Sequence, residues 1–237
     1  MQSVLPRRFL TRASWLGEWK SLQDRQKISS ARIRDVLRRH THDAHEALHA
    51  HASFAALLRH ELDLDGYREL MRALHGFYAP LDRQISRVLA ERSALGTAYS
   101  YAWRSEFLAR DLRDLGFSAE EIDRNDRCEQ AAQLVSAASL GGVLYVIEGA
   151  MLGGATIDRA VQPLLSAENA GGRGYWAWCR SENGHRWRMT LEFLERLCAD
   201  GAALDDLCLG AESTFLALSQ WLAPLERTAL SVERGAA

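Results

Sequence analysis

Leu140-Gly141-Gly142-Val143-Leu144-Tyr145-Val146-Ile147-Glu148-Gly149-Ala150-Met151-Leu152-Gly153-Gly154-Ala155 lies inside a run, Glu129 to Val161, that otherwise reads as one helix. Ala, Leu, Val, Gln and Ile dominate it, and no proline appears before Pro163. Each interior glycine nevertheless costs a helix about 1 kcal/mol relative to alanine. Gly149 and Gly153 fall one turn apart on one face, which leaves the backbone there bare. A bare backbone admits either a neighbouring helix or a flat ligand, and the stretch alone does not choose between them. Glu148 and Asp158 interrupt the apolar run and argue against a membrane span.

The rest of the chain supplies the setting for that helix. Its 237 residues fit one large domain or one domain with an extension, and 47% apolar with 25% charged residues is ordinary globular composition. A net charge of −2 provides no general field for nucleic acid. Cys128, Cys179, Cys198 and Cys208 show no zinc or CxxC spacing and read as reduced thiols, so a cytoplasmic location is expected. Alternating β-branched runs are nearly absent, and the fold class is all-α.

Residues 1–30 mix Arg and Lys with Leu, Trp and Phe without an apolar h-region, and are expected to form a poorly ordered extension. The domain is expected over 31–230, with a tail at 231–237. Helices are predicted from Ser30 to His51, Asp65 to Glu91 with a kink at Pro80, and Trp103 to Leu115. After a capped turn at Ser118 comes the glycine-rich run, then helices starting near Asn183 and near Leu204, the latter ending about Arg227. Gly171 to Trp178 read as a loop.

The first helix carries His40, His42, His45, His49 and His51. Ile33, Leu37, Thr41, Ala44 and Leu48 make its apolar stripe, and His45 lies about 70° from the centre of that stripe. It therefore sits on the margin between core and surface, where an imidazole reaches a cleft; His40 holds the opposite margin.

Arg38-Arg39-His40-Thr41-His42-Asp43-Ala44-His45-Glu46, taken with Tyr145 to Gly154, resembles heme oxygenase, most closely the bacterial branch that supplies biliverdin to phytochromes. The likeness runs over roughly residues 31 to 228 and includes Phe107 to Leu112, Arg186-Trp187, Thr214-Phe215 and Trp221-Leu222. It implies a single-domain helical bundle with heme held between the N-terminal helix and the glycine-rich distal helix. It makes His45 the iron ligand and Gly149 and Gly153 the catalytic distal backbone. Arg38, Tyr145 and Arg186 become further heme-binding residues, the arginines toward the propionates. Animal members have aspartate where this chain has Ala150; bacterial relatives commonly lack it too, and the proton route is not legible.

The implied reaction is cleavage of heme to biliverdin, ferrous iron and carbon monoxide with O2 and external electrons. Glycines can hold oxygen close to the ring edge without offering an acid–base side chain, and rim arginines fix how the macrocycle is rotated. No dinucleotide or flavin fingerprint appears, so a separate ferredoxin or reductase is the expected donor, and a phytochrome is a candidate acceptor of the product. Two other readings share parts of the pattern. One is a non-catalytic heme carrier on the same fold. The other is a di-iron bundle built on Glu46-x-x-His49 and Glu182-x-x-His185, which the outward-facing position expected for Glu46 disfavours.

Overall fold

The computed structural model describes residues 29–91, 99–165 and 171–235. These form α1 (Ser30–His40), α2 (His42–His49), α3 (Ala52–Leu58), α4 (Leu64–Glu91), α5 (Arg104–Asp114), α6 (Ala119–Asp123), α7 (Leu140–Ala150), α8 (Gly154–Val161), α9 (Gly174–Ala199) and α10 (Leu204–Gly235), with short 3-10 turns between some of them. No strand occurs among the described residues. The expected extension before Ser29 lies outside them.

α7 is the centre of the bundle and packs chiefly on α10 and α9. Leu140, Val143, Leu144 and Ile147 are buried along it. The run Leu140–Leu164 is long and apolar enough to cross a membrane, yet more than half of its most apolar window is buried within the bundle. A Cβ on Gly142 would stand 1.9 Å from the Leu207 carbonyl oxygen and 2.5 Å from the Ala211 nitrogen. α7 and α10 therefore touch backbone to backbone. Gly210 answers from the other helix, where a Cβ would meet the Ser139 oxygen at 2.5 Å.

Four expected elements differ from the structure. The first helix divides at Thr41, whose hydroxyl donates to Leu37 O at 2.8 Å and bends the chain away from a straight helix. α4 runs unbroken through Pro80, because the carbonyl of Gly76 that proline cannot bond accepts the Cys128 N–H instead, at 3.0 Å. α9 starts at Gly174 rather than near Asn183, so Tyr175, Trp176 and Trp178 are helical. Its first amides, Gly174 N and Tyr175 N, donate to the Asp111 carboxylate of α5 at 2.6 and 2.8 Å. α10 continues to Gly235, so residues 231–235 extend that helix.

One buried base makes the bundle sensitive to acid. His75 of α4 is buried, with Asn125 Nδ2 3.3 Å from its Nδ1. Burial, helped by Arg127 and Arg83, pushes its pKa from 6.5 down to about 4. Over that interval the unfolded chain takes up a proton that the folded chain refuses, so stability present above pH 6.5 is lost as pH falls toward 4. Burial pushes Asp111 the other way, from 3.8 up to about 6, and that carboxyl favours the folded state as pH falls. The contribution of His75 is thus read as the difference between wild type and His75→Gln. Thermal melts at pH 7 and pH 4.5 are expected to show a smaller acid loss in the variant, bounded at roughly 3 kcal/mol. Equal slopes in the two proteins would contradict it.

Candidate functional site

α2 buries no residue completely; it lies along the bundle with Ala44 and Leu48 turned inward. His45 is half exposed on this helix, and its ring stands edge-on to Phe215 of α10 at 6.0 Å between centroids. Its Nδ1 is 3.3 Å from Glu46 Oε1, and its Nε2 is 3.1 Å from His49 Nε2. Glu46 itself is exposed. The rival His40 contacts Glu212 of α10 at 3.2 Å.

α1 and α7 meet beside Tyr145. Its hydroxyl is pushed upward in pKa by burial and drawn back by the nearby charges of Arg38 and Arg34 and by a hydrogen bond with Thr41. His45 follows Thr41 by one helical turn, and Gly149 follows Tyr145 by one turn. The Tyr145 ring lies 5.4 Å from that of Trp187, which also covers Gly149: a Cβ there would stand 3.4 Å from the indole.

The glycines fall into two kinds. Gly141, Gly142 and Gly154 are packing glycines; a Cβ on Gly154 would meet Cys179 Cβ at 2.5 Å. Gly153 has no neighbour within 4 Å of its Cβ position. Here the long helix breaks into a 3-10 turn, Met151–Gly153, before α8 resumes at Gly154. Leu152 beside it is 49% exposed and Ala150 is exposed, so this backbone opens on free space.

Arg186 is not where the resemblance puts it. The expectation was a rim cation; the guanidinium is buried and donates to both oxygens of Glu148, from Nε to Oε2 at 2.8 Å and from Nη2 to Oε1 at 2.7 Å. A fork committed in this way has little left for a propionate. The same Oε1 accepts from Tyr99 OH at 2.7 Å and from Arg104 Nη2 at 2.9 Å. Burial alone would raise the pKa of Glu148, but Arg104 and Arg186 hold it down to about 2. Arg104 is fully buried among the rings of Tyr78, Tyr101 and Trp178, 5.2 to 5.9 Å from their centroids. Sequence reasoning missed this cluster. Its signal was a carboxylate in the middle of an apolar run, which needs a cationic partner when buried. Arg38, by contrast, is exposed on α1.

Two surface clefts, one lined by Asp65, Arg68, Glu69 and Phe117 and one by Gln133, Asp206 and Ser213, contain none of the expected site residues. The features that suit a flat iron macrocycle are elsewhere. They are a half-exposed imidazole, an apolar ring beside it in Phe215, a helix break with no side chain in front of it, and an exposed arginine on α1.

A family model described as heme oxygenase matches residues 31–224. A heme oxygenase from Xanthomonas campestris pv. campestris (strain 8004) is 30% identical over 163 residues, which is 68% of this chain and 90% of that protein. The crystal structure of heme oxygenase-1 from the cyanobacterium Synechocystis sp. PCC6803 in complex with heme aligns with a TM-score of 0.68. That alignment covers 86% of this chain and 98% of the other at 15% identity, a likeness of fold. The match over most of the chain, on a bundle whose central helix breaks at the bare Gly153, shows that the chain belongs to the heme oxygenase family, oxidoreductases that open heme to biliverdin.

Proposed function

We propose that His45 is the iron ligand of this heme oxygenase and that the Gly149–Gly153 backbone faces the opposite side of the heme. Arg38 and Tyr145 then lie at the edge of the macrocycle. The observation that carries this reading is the open space in front of Gly153 while Gly141, Gly142 and Gly154 are filled by neighbours. Gly153 lies at the break of the central helix, where a backbone without a side chain lets a flat ligand come close.

Each of these residues has a chemical task. The imidazole of His45 must present a lone pair at Nε2, which requires the proton on Nδ1; Glu46 Oε1, 3.3 Å away, accepts a hydrogen bond from that Nδ1–H and favours the tautomer. His49, exposed and on the same helix, can swing clear of Nε2. Arg38 supplies a charge-assisted partner for a carboxylate at the heme edge. The wall from Gly149 to Gly153 offers amides and no acid, and Ala150 adds none, so protons reach it through water. Heme when bound supplies the iron and is itself the substrate that is opened.

Dioxygen and external electrons complete the reaction. Arg34, Arg38 and Arg39 are exposed along α1 and suit an acidic ferredoxin or a reductase docking there. A cytoplasmic location, delivery of biliverdin to a phytochrome and a working unit of residues 31–230 belong to the same reading. The test is to reconstitute the chain with heme without oxygen, then add reductant and air in the presence of catalase. Loss of the Soret band with a biliverdin product by chromatography supports it. An intact Soret band would make the protein a heme carrier instead.

A further inference from the structure

We propose that Glu148, gripped by Arg104 and Arg186, is the positioning residue that sets how the Gly149–Gly153 backbone stands over the heme; this rests on the heme reading above. Glu148 directly precedes Gly149 and is completely buried. Its carboxylate receives four hydrogen bonds, from Tyr99, from Arg104 and, as a fork, from Arg186 of α9. The grip extends into the turn after Glu148. Arg104 Nη2 reaches Met151 Sδ at 3.7 Å, across the end of α7, and its Nη1 donates to Ala102 O at 3.1 Å. Trp187, next to Arg186, lays its indole on Gly149. Two adjacent residues of α9 thus grip two adjacent residues of α7.

The far side of the break is held separately. Gly154 is pressed on Cys179 and Arg180, and Asp158 of α8 pairs with Arg173 and with Arg180, the latter at 3.2 Å. Between these clamps remains a short bare window, Leu152–Gly153. The cluster has the character of a position-setting device rather than a source of stability. Buried ion pairs are commonly replaceable by apolar groups without loss. Here two guanidinium groups face one carboxylate, and among the described residues Arg104 Nε has no hydrogen-bond partner. Thr190 and Tyr99, bonded to each other at 2.9 Å, close the network from the side.

The experiment compares the full chain with Arg186→Met and Arg186→Lys, each loaded with heme. Arg186→Met removes the fork but leaves Glu148 with Arg104 and Tyr99. Tyr67→Phe, which removes a buried hydrogen bond to Gly172 O at 2.7 Å outside both clamps, is the control for general loss of a buried polar contact. Four quantities are read: the biliverdin isomer ratio, the pH midpoint of the acid–alkaline transition of the ferric heme, kcat, and heme affinity. Arg186→Met is expected to mix the isomers, to shift the transition midpoint and to lower kcat about tenfold, with heme affinity within about threefold of wild type. Arg186→Lys is expected to shift the ratio part of the way in the same direction, and it carries the decision if Arg186→Met does not fold. Tyr67→Phe is expected to keep the wild-type ratio and midpoint. Wild-type ratio and midpoint in both Arg186 variants, with wild type opening heme normally, would overturn the role of Glu148 alone. A wild-type chain that does not bind heme would overturn the heme reading together with it.

Discussion

His45→Ala is expected to lose the imidazole-ligated heme spectrum and to reduce biliverdin formation by on the order of 100-fold or more. Heme should still enter, because Phe215 and the bare helix break remain. The other histidines of the same stretch provide the internal standard. His40 contacts Glu212 on α10, and His42 lies exposed on the surface of α2. His40→Ala and His42→Ala are expected to keep both spectrum and turnover. A His42→Ala or His40→Ala protein that loses the ligand band while His45→Ala retains it would reassign the iron ligand. Adding free imidazole to His45→Ala should restore part of the spectrum, which a misfolded protein could not show.

The largest effect on stability is expected at Gly142, not at the glycines proposed to face heme. A methyl group there would overlap the Leu207 carbonyl oxygen and the Ala211 nitrogen, so α7 and α10 must part. Gly142→Ala should cost roughly 3 kcal/mol or more and lower Tm by roughly 6 °C or more. Gly153→Ala meets nothing and should gain about 0.5–1 kcal/mol while reducing turnover. The pair separates the two kinds of glycine by thermal melting and turnover alone. A Gly153→Ala protein as active as wild type would remove the open backbone from the site, and a stable Gly142→Ala would contradict the helix crossing.

Much of the bundle was legible because periodicity is local. The stripe Ile33, Leu37, Thr41 is buried, and the capping box at Ser118 and Glu121 forms as its spacing requires. What sequence could not supply was partnership across the chain. The glycine-rich run looks like one helix because nothing in its residues reveals that Arg104 and Trp187 grip it just before a break. Arg186 looks like a rim cation because Glu148, thirty-eight positions away, is its partner only in the folded state. Both residues were in view; their pairing was not. The start of α9 failed for the same reason, since its first amides bond to a carboxylate from another helix.

That borrowed carboxylate has a kinetic consequence. A helix whose first turn is capped by its own neighbouring residue can nucleate alone. The first turn of α9 depends on Asp111, 63 residues earlier in the chain, so closing that long loop must precede or accompany its formation. Tyr175, Trp176 and Trp178 sit in those turns and stack among Tyr78 and Phe107. The aromatic end of the bundle therefore closes only when α5 is in place to supply that carboxylate. Amide hydrogen exchange is expected to show protection lost earlier over residues 174–178 than along the backbone seam between α7 and α10.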